Sequence, residues 1–243
     1  QTMHDHGFDD IDILVQTNVE AARRADVVLL CCKPQRVGEV LDEEGMREAL
    51  DGKMLVSIIA GVTIEQLTTH VLPSTTVVRA MPNTPSKIRE GMTVVSLVRR
   101  LTQQDRNLLS TIFSAVGMCR FLDEKYFDVA TALAGSGPAF VTLFLEAMAD
   151  GGVMMGLPRA EALELPHKVR THTILSHSMQ GASRMVLQTG MHPAAIKDSV
   201  TTPGGCTIAG LLQMEDGRVR STVARSIQTA AEHAAGLGHS LHK

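Results

Sequence analysis

The stretch KDSVTTPGGCTIAGL, residues 197–211, contains a helix-breaking Pro-Gly-Gly directly before the start of an apolar helical pattern. Pro203 ends the preceding helix, and Thr207 opens the next one. Backbone N–H groups at such a helix N-terminus can bind a small anion, for example a carboxylate. The alternative is a plain glycine-rich turn in which Thr207 is a simple cap. The candidate donors are Gly204, Gly205, Cys206 and Thr207.

A second glycine pair, Gly135-Ser-Gly137, nearly matches the Gly-x-Gly-x-x-Gly turn that binds the pyrophosphate of a dinucleotide. A true turn of this kind follows a buried strand and has an acidic residue about 20 positions further on. Here the preceding residues are small and helix-forming, and Pro138 occupies a first helical position. We therefore interpret the loop as a helix start that faces a small ligand. The alternative is a turn between helices that carries no chemistry.

These residues need a scaffold, and the first half of the chain predicts one. Four apolar runs lack clean polar alternation, which is typical of strands buried on both faces of a parallel sheet. Capping-box sequences at Thr63 and Thr102 start helices between or after these runs. The pattern predicts an open, doubly wound α/β sheet. The runs are DVVLLCC (26–32), MLVSIIA (54–60), TTVVRAM (75–81) and MTVVSLV (92–98).

In a doubly wound sheet, ligands bind beyond the carboxyl ends of the strands. The first run leads into Lys33-Pro34, the second into Gly61, and the third into the polar, proline-rich loop 81–85. Small or turn-forming residues at three strand ends predict a ligand-binding crevice at one edge of the sheet. Each end taken singly could also be an ordinary βα loop.

After about Asp123 the pattern becomes helical, with almost no β-branched runs. We predict a partial dinucleotide-binding, Rossmann-like domain over 1–124 and an all-helical domain over 125–243. The net charge of −3 gives no electrostatic footprint for nucleic acid, so we expect no nucleic-acid partner. No uninterrupted apolar run reaches the ~18 residues of a membrane span, so we expect no membrane partner. The four cysteines lack a framework spacing, which favours reduced thiols in an intracellular compartment.

Taken together, six motifs make the chain resemble the pyrroline-5-carboxylate reductase family. They occur in the family order, nearly at the family spacing, and cover the chain from about Asn18 to Gly236. The motifs are MPNTP (81–85) with REG (89–91), GSGPA (135–139), ADGG (149–152), GLPR (156–159), HP (192–193) with KD (197–198), and TPGGCTI (202–208).

The resemblance implies a truncated Rossmann-like sheet followed by an all-α domain for substrate binding and dimerisation. It implies hydride transfer from NADPH or NADH to 1-pyrroline-5-carboxylate, giving L-proline in the last step of proline biosynthesis. A homodimer or larger homo-oligomer would form through the helical domain. We expect a cytoplasmic location, with a mitochondrial one left open because the family's N-terminal segment is missing.

The resemblance also implies site residues. Thr207 would be the catalytic residue, with its hydroxyl close to the ring nitrogen of the substrate. The implied substrate-binding residues are Gly137, Pro138, Gly204, Gly205, Cys206 and Thr207. The implied cofactor-binding residues are Asn18, Cys31, Lys33, Pro34, Ala60, Gly61, Met81, Pro82, Asn83 and Thr84.

Two features depart from the family pattern. The sequence starts at Gln1 without the family's strand and Gly-x-Gly-x-x-Gly turn, and PHKVRTHTILSHS (166–178) replaces a shorter, alanine-rich part of a helix. We interpret this insertion as a polar, irregular loop. Its histidines recur every five residues, so they would lie ~140° apart on a helix, and we predict no metal site.

Three alternatives remain open. The chain could be a catalytically silent oligomerisation subunit that lacks the phosphate-binding half-site. It could be an incomplete gene-model product that lacks the pyrophosphate-binding loop. It could also be another two-domain dehydrogenase acting on small hydroxy acids, with Lys197 as the candidate catalytic lysine.

Overall fold

The computed structural model describes residues 17–159 and 174–237, and a five-stranded sheet forms the core of the first half of the chain. In chain order, which is also their order across the sheet, the strands are β1 (Val27–Leu30), β2 (Met54–Ser57), β3 (Thr76–Met81), β4 (Gly91–Leu97) and β5 (Gly117–Asp123). The first three strands run parallel to one another, and β5 runs parallel to β4. The predicted α/β fold with a mostly parallel sheet followed by helices is confirmed.

The prediction of a parallel sheet is wrong for strand β4, which runs antiparallel to β3, with Ala80 opposite Val95. A parallel crossover needs a connection of a dozen or more residues. The segment 82–90 is shorter than that, and most of it forms the 3₁₀ helix Thr84–Ile88. The chain therefore turns back at this point, and the loop length in the sequence carried the signal.

Strand β5 was also not predicted from the sequence, because Gly117 resembles the glycine that ends a helix. The strand begins with Gly91 directly beside Gly117. Gly117 has φ +144°, and a Cβ atom added to it would lie 2.1 Å from the carbonyl oxygen of Gly91. Only glycine fits such a close approach of two backbones.

Short helices connect the strands of the first half. The helix starts at Thr63 and Thr102 are confirmed, because each threonine forms a complete capping box with the residue three positions on. The helices are α1 (Asn18–Arg24), α2 (Val37–Leu41), α3 (Met46–Ala49), α4 (Ile64–Thr68), α5 (Gln103–Ser114) and α6 (Phe127–Ala130), with 3₁₀ helices at Pro34–Arg36 and Glu124–Tyr126.

Alternation along the strands divides the core between the two faces of the sheet. Leu55 and Val77 point to one face and pack with Leu67 of α4. Val78 points to the opposite face, in a cluster with Leu109 of α5. A third cluster covers the carboxyl ends of β2 and β3: Met81, Val94, Phe127 and Ala130, with Ala60 packed against them.

All described residues after α6 that form regular structure are helical. A π-helix (Thr131–Gly135) is followed by α7 (Gly137–Met154), α8 (Ile174–Thr189), α9 (Pro193–Ser199), α10 (Cys206–Asp216) and α11 (Val219–Leu237). Two compact units result, one of residues 1–135 with 229–243 and one of residues 136–228. The domain boundary after residue 124 stays a prediction.

The helices of the second half expose large apolar side chains: Leu143 is 62% exposed, Met154 82% and Leu187 80%. The helical stretch Glu124–Met154 is long and apolar enough to cross a membrane, with a mean hydropathy of 1.4 and 11% of its most apolar window buried. Length and composition alone therefore do not separate a membrane span here from a helix that packs against another protein surface.

The segment 166–178 is described in part. Residues 166–173, with His167 and His172, lie outside the described residues. The expectation of an irregular loop is wrong for Ile174–Ser178, which form the first residues of α8. Among residues 17–159 and 174–237, no group of three His, Cys, Asp or Glu side chains could hold a metal ion.

Candidate active site

The carboxyl ends of the three parallel strands lie side by side at one edge of the sheet. Leu30 of β1 is in register with Ser57 of β2, which is in register with Arg79 of β3. The structure thereby brings together three of the segments predicted to bind the cofactor. These segments are Cys31–Pro34, Ala60–Gly61 and Met81–Thr84.

Asn18 and Cys31 line one cavity of about 450 Å³ that runs along β1. The Asn18 amide donates a hydrogen bond of 3.3 Å to Glu43, which connects the first residue of α1 to the segment between α2 and α3. Burial raises the pKa of the Cys31 thiol above its usual value, so this side chain stays protonated and neutral near pH 7.

Beyond Cys31, Lys33 is exposed and precedes the 3₁₀ helix that starts at Pro34. Its ammonium group makes no ion pair with any residue that the structure describes. An unpaired cation at the carboxyl end of a parallel strand suits a phosphate group.

The turn after β2 contains Gly61 in the left-handed region, with φ +78°. Ala60, on one side of it, packs against the third core cluster. Thr63, on the other side, caps α4, and the N–H of Ile64 donates a 2.8 Å hydrogen bond to Glu124 Oε1. The turn is therefore anchored on both sides of the glycine.

The loop after β3 is held by Asn83, whose carboxamide bonds at both ends. Its Nδ2 donates to the carbonyl oxygen of Ala134 at 2.9 Å. Its Oδ1 accepts from the N–H of Met92 at 2.8 Å. With its carboxamide engaged in this way, Asn83 positions the loop. Met81 is buried in the third cluster, and Thr84 is exposed beside Asn83.

Two charged residues near these strand ends were not predicted as site residues from the sequence. Arg79, only 4% exposed, forms a 3.0 Å ion pair with Glu124. The signal was an arginine inside the otherwise apolar run TTVVRAM, because a buried charge requires a partner. The sequence did not indicate which residue that partner would be.

The Gly135–Gly137 loop follows α6 and the π-helix Thr131–Gly135, with no strand directly before it. Helix α7 begins at Gly137 and carries Pro138 in its first turn. The structural context of a dinucleotide turn is thus absent at these residues, as the sequence predicted. Gly137 and Pro138 form a helix N-terminus, and their contact with substrate stays a prediction.

The Pro-Gly-Gly loop also leads into a helix, α10, which begins at Cys206 with Gly205 as its N-cap. Gly204 has φ +66°, a left-handed conformation that favours glycine, and a Cβ on Gly205 would lie 2.4 Å from Thr202 Oγ1, so this hydroxyl would have to move if Gly205 carried a side chain. One expectation needs correction: the N–H of Gly205 donates to the carbonyl oxygen of Thr202 at 3.1 Å. It is therefore not free to bind an anion.

The remaining donors are the Gly204 N–H, which makes no backbone hydrogen bond within the described residues, and those of the first turn of α10. A glycine N-cap has no side chain to accept from them, and no side-chain cap is present. The N–H groups of Cys206, Thr207 and Ile208 therefore point out of the helix end, as first-turn donors do. Thr207 is half-buried, and its hydroxyl makes no hydrogen bond to the described part of the chain. Lys197, by contrast, pairs with its neighbour Asp198.

The strand ends fit a nicotinamide dinucleotide in three respects. They offer an ammonium group at Lys33 that pairs with none of the described residues, a left-handed glycine turn at Gly61 and a polar loop at Pro82–Thr84 held by Asn83. The residues that the structure describes contain no Gly-x-Gly-x-x-Gly turn after a strand. Pyrophosphate contacts from such a turn are therefore not part of this described site.

Comparison with protein families gives two matches. Residues 124–237 match the family described as "Pyrroline-5-carboxylate reductase dimerisation". Residues 5–61 match the family described as "NADP oxidoreductase coenzyme F420-dependent". Between them, the two matches include the turn after β2 and the start of α10.

Individual relatives cover most of the chain. Pyrroline-5-carboxylate reductase of Schizosaccharomyces pombe is 48% identical over 221 residues, which are 91% of this chain and 75% of the yeast protein. The Arabidopsis thaliana protein of that name is 40% identical over 225 residues, 92% of this chain and 77% of its own length. The crystal structure of Plasmodium falciparum pyrroline carboxylate reductase with NADP bound has a TM-score of 0.81 at 30% identity, covering 92% of this chain and 81% of that one.

Proposed function

Because this chain belongs to the pyrroline-5-carboxylate reductase family, we propose that it reduces 1-pyrroline-5-carboxylate to L-proline. The structural observation that supports this most is the N-terminus of α10. It offers backbone donors, a left-handed glycine at 204 and a Thr207 hydroxyl with no hydrogen-bond partner among the described residues, all within the four residues Gly204 to Thr207. A substrate with one carboxylate beside one ring nitrogen needs that combination of groups.

The backbone N–H groups of Cys206 and Thr207 bind the substrate carboxylate. They act through partial positive charge at the helix end, which needs no buried cation. The Thr207 hydroxyl donates to or accepts from the ring nitrogen and so fixes which face of the imine is presented. A protonated imine is the more electrophilic form, and its proton comes from solvent, since a threonine hydroxyl is too weak an acid to supply it.

The cofactor is a nicotinamide dinucleotide, and both NADPH and NADH are candidates. Lys33 binds a phosphate, the Gly61 turn lets the dinucleotide approach the backbone, and the loop 81–84 lies beside the nicotinamide ring. A bound nicotinamide supplies the hydride. The chain contributes alignment, because hydride transfer requires two ring carbons to be held close together.

We further propose that the chain works in the cytoplasm as a homo-oligomer built through its helical half. The exposed apolar side chains of α7 and α8, among them Leu143 and Leu187, are of the kind that dimer interfaces bury. Isolated exposed leucines are common on protein surfaces, but several on helices that match a dimerisation family form a docking surface.

The test is steady-state oxidation of NADPH and of NADH by the purified chain, with and without 1-pyrroline-5-carboxylate. Substrate-dependent oxidation supports the proposal, and the ratio of kcat/KM values gives the cofactor preference. Thr207→Val should lower kcat/KM, whereas the matched control Thr111→Val should not. The hydroxyl of Thr111 only bonds back to Asn107 of its own helix. Intact dimers that bind neither nucleotide would instead identify a catalytically silent subunit.

A further inference from the structure

The partly buried ion pair between Arg79 and Glu124, whose side chain is 33% exposed, connects two parts of the chain that lie far apart in sequence. Arg79 Nη1 donates to Glu124 Oε1 at 3.0 Å, and the arginine side chain is 5% exposed. The guanidinium also stacks over the Phe127 ring, 4.8 Å from its centroid. Taking an arginine out of water is costly unless its charge is paired, so the position of Glu124 is strongly determined.

The same carboxylate oxygen has a second donor. The N–H of Ile64, the first residue of α4, donates to Glu124 Oε1 at 2.8 Å. Thr63 already caps this helix through Gln66, so Glu124 serves a different first-turn donor. Arg79 therefore fixes the carboxylate, and the carboxylate fixes the backbone three residues after Gly61.

The sheet keeps Arg79 itself in place. Its backbone N–H donates to Ser96 Oγ at 2.8 Å, and Ser96 is fully buried on the neighbouring strand β4. Phe127, which covers the guanidinium, belongs to the cluster against which Ala60 packs. The turn from Ala60 to Ile64 is thus held on one side by apolar packing and on the other by the ion pair.

We propose that Arg79 and Glu124 are positioning residues for the cofactor: together they hold the 60–64 turn in the conformation that receives the dinucleotide. This inference rests on the proposed function for its choice of ligand. Neither residue contacts a reacting atom. A turn that carries a left-handed glycine has several accessible conformations, and binding is weakened by the fraction of time spent in the wrong ones.

The experiment compares Glu124→Gln, Arg79→Met and Arg79→Lys with the parent chain. The first two should raise the Kd and KM for NADPH about tenfold, the effect expected where one charge of a hydrogen-bonded ion pair is removed. The kcat value and the KM for 1-pyrroline-5-carboxylate should stay within about twofold of the parent. Arg79→Lys keeps the charge and should recover most of the affinity that Arg79→Met loses.

Leu109→Val is the matched control for a general loss of stability. Leu109 is fully buried on α5, which packs on the opposite face of the sheet from Arg79. The control should lower Tm without changing the Kd for NADPH. An unchanged Kd in Glu124→Gln and Arg79→Met, or an equal rise in Leu109→Val, would overturn the inference.

A second readout does not depend on catalysis. Amide hydrogen exchange in the nucleotide-free protein should be faster at residues 61–64 in Glu124→Gln than in the parent, and unchanged there in Leu109→Val. If the parent chain itself neither binds NADPH nor turns over, the proposed function fails. In that case hydrogen exchange alone tests the positioning role, and exchange at residues 61–64 that is the same in Glu124→Gln as in the parent refutes it.

Discussion

Replacing Asn83 by alanine tests whether its carboxamide holds the loop after β3. The side chain joins three segments: its own loop, the N–H of Met92 at the start of β4, and the carbonyl oxygen of Ala134 in the π-helix. Alanine removes both bonds and keeps the backbone. If the loop depends on these bonds, the variant loses stability out of proportion to the few atoms removed.

The expected loss follows from the two groups left behind. An unsatisfied buried donor or acceptor costs about 1–3 kcal/mol, and Asn83 is half-buried, so water can partly replace its bonds. We therefore expect Asn83→Ala to lower the free energy of unfolding by about 2 kcal/mol, towards the lower end for two such groups. In a protein of this size that corresponds to a Tm lowered by roughly 4–8 °C.

The assay is thermal and urea unfolding at one fixed protein concentration, because oligomers gain stability with concentration. Lys87→Ala is the control, since Lys87 is exposed on the same 3₁₀ helix. Asn83→Asp keeps the acceptor for Met92 but places a carboxylate oxygen against the Ala134 carbonyl. Its neutral form is favoured in the folded state, so part of its loss should be recovered as the pH falls. A loss in Asn83→Ala no larger than in Lys87→Ala would refute the reasoning.

Three further predictions test other parts of the structure. Gly117→Ala should cost about 3 kcal/mol or more in urea unfolding, because its Cβ would strike the Gly91 backbone; a loss below about 1 kcal/mol would contradict this. Leu143→Arg, on α7, should reduce the oligomer mass in light scattering while the protein stays folded, and an unchanged mass would argue against this face as the interface. Burial disfavours the thiolate of Cys31 and so raises its pKa; stability is therefore full below the ordinary pKa of 9.0 and is lost as the pH rises through the folded value. Iodoacetamide reacts with the thiolate, so it should alkylate Cys31 more slowly in the folded protein than in the unfolded chain, and equal rates would contradict the prediction.

Local patterns predicted those parts of the fold that local physics determines. The apolar run 54–60 contains β2, and the capping boxes at Thr63 and Thr102 start helices. Each of these signals is formed by residues only a few positions apart in the sequence. Strand β5 was missed since its pairing partner Gly91 lies far back in the sequence. The direction of β4 was missed because an apolar run does not encode which way its neighbour runs.

The candidate site divides in the same way. The turn before α10 was predictable, since Pro203, Gly204 and Gly205 are adjacent and Gly204 adopts a left-handed φ that favours glycine. The free donors within it were predicted less well: one of the four, the Gly205 N–H, is used by Thr202 inside the turn. Whether a backbone donor is free depends on the turn that actually forms, and composition does not determine that.

The role of Asn83 shows most clearly where sequence reasoning ends. A polar residue after a buried strand is a reasonable ligand contact, and an amide can bind a nucleotide as readily as it binds a backbone. Whether Asn83 binds a ligand or the backbone depends on whether its amide already makes hydrogen bonds within the protein. Ala134 supplies one of these from the π-helix, a form that leaves carbonyl groups in need of donors and often marks functional sites. Asn83 therefore joins the sheet edge that we propose binds the cofactor to Ala134 of the π-helix, so Asn83→Ala should destabilise both segments.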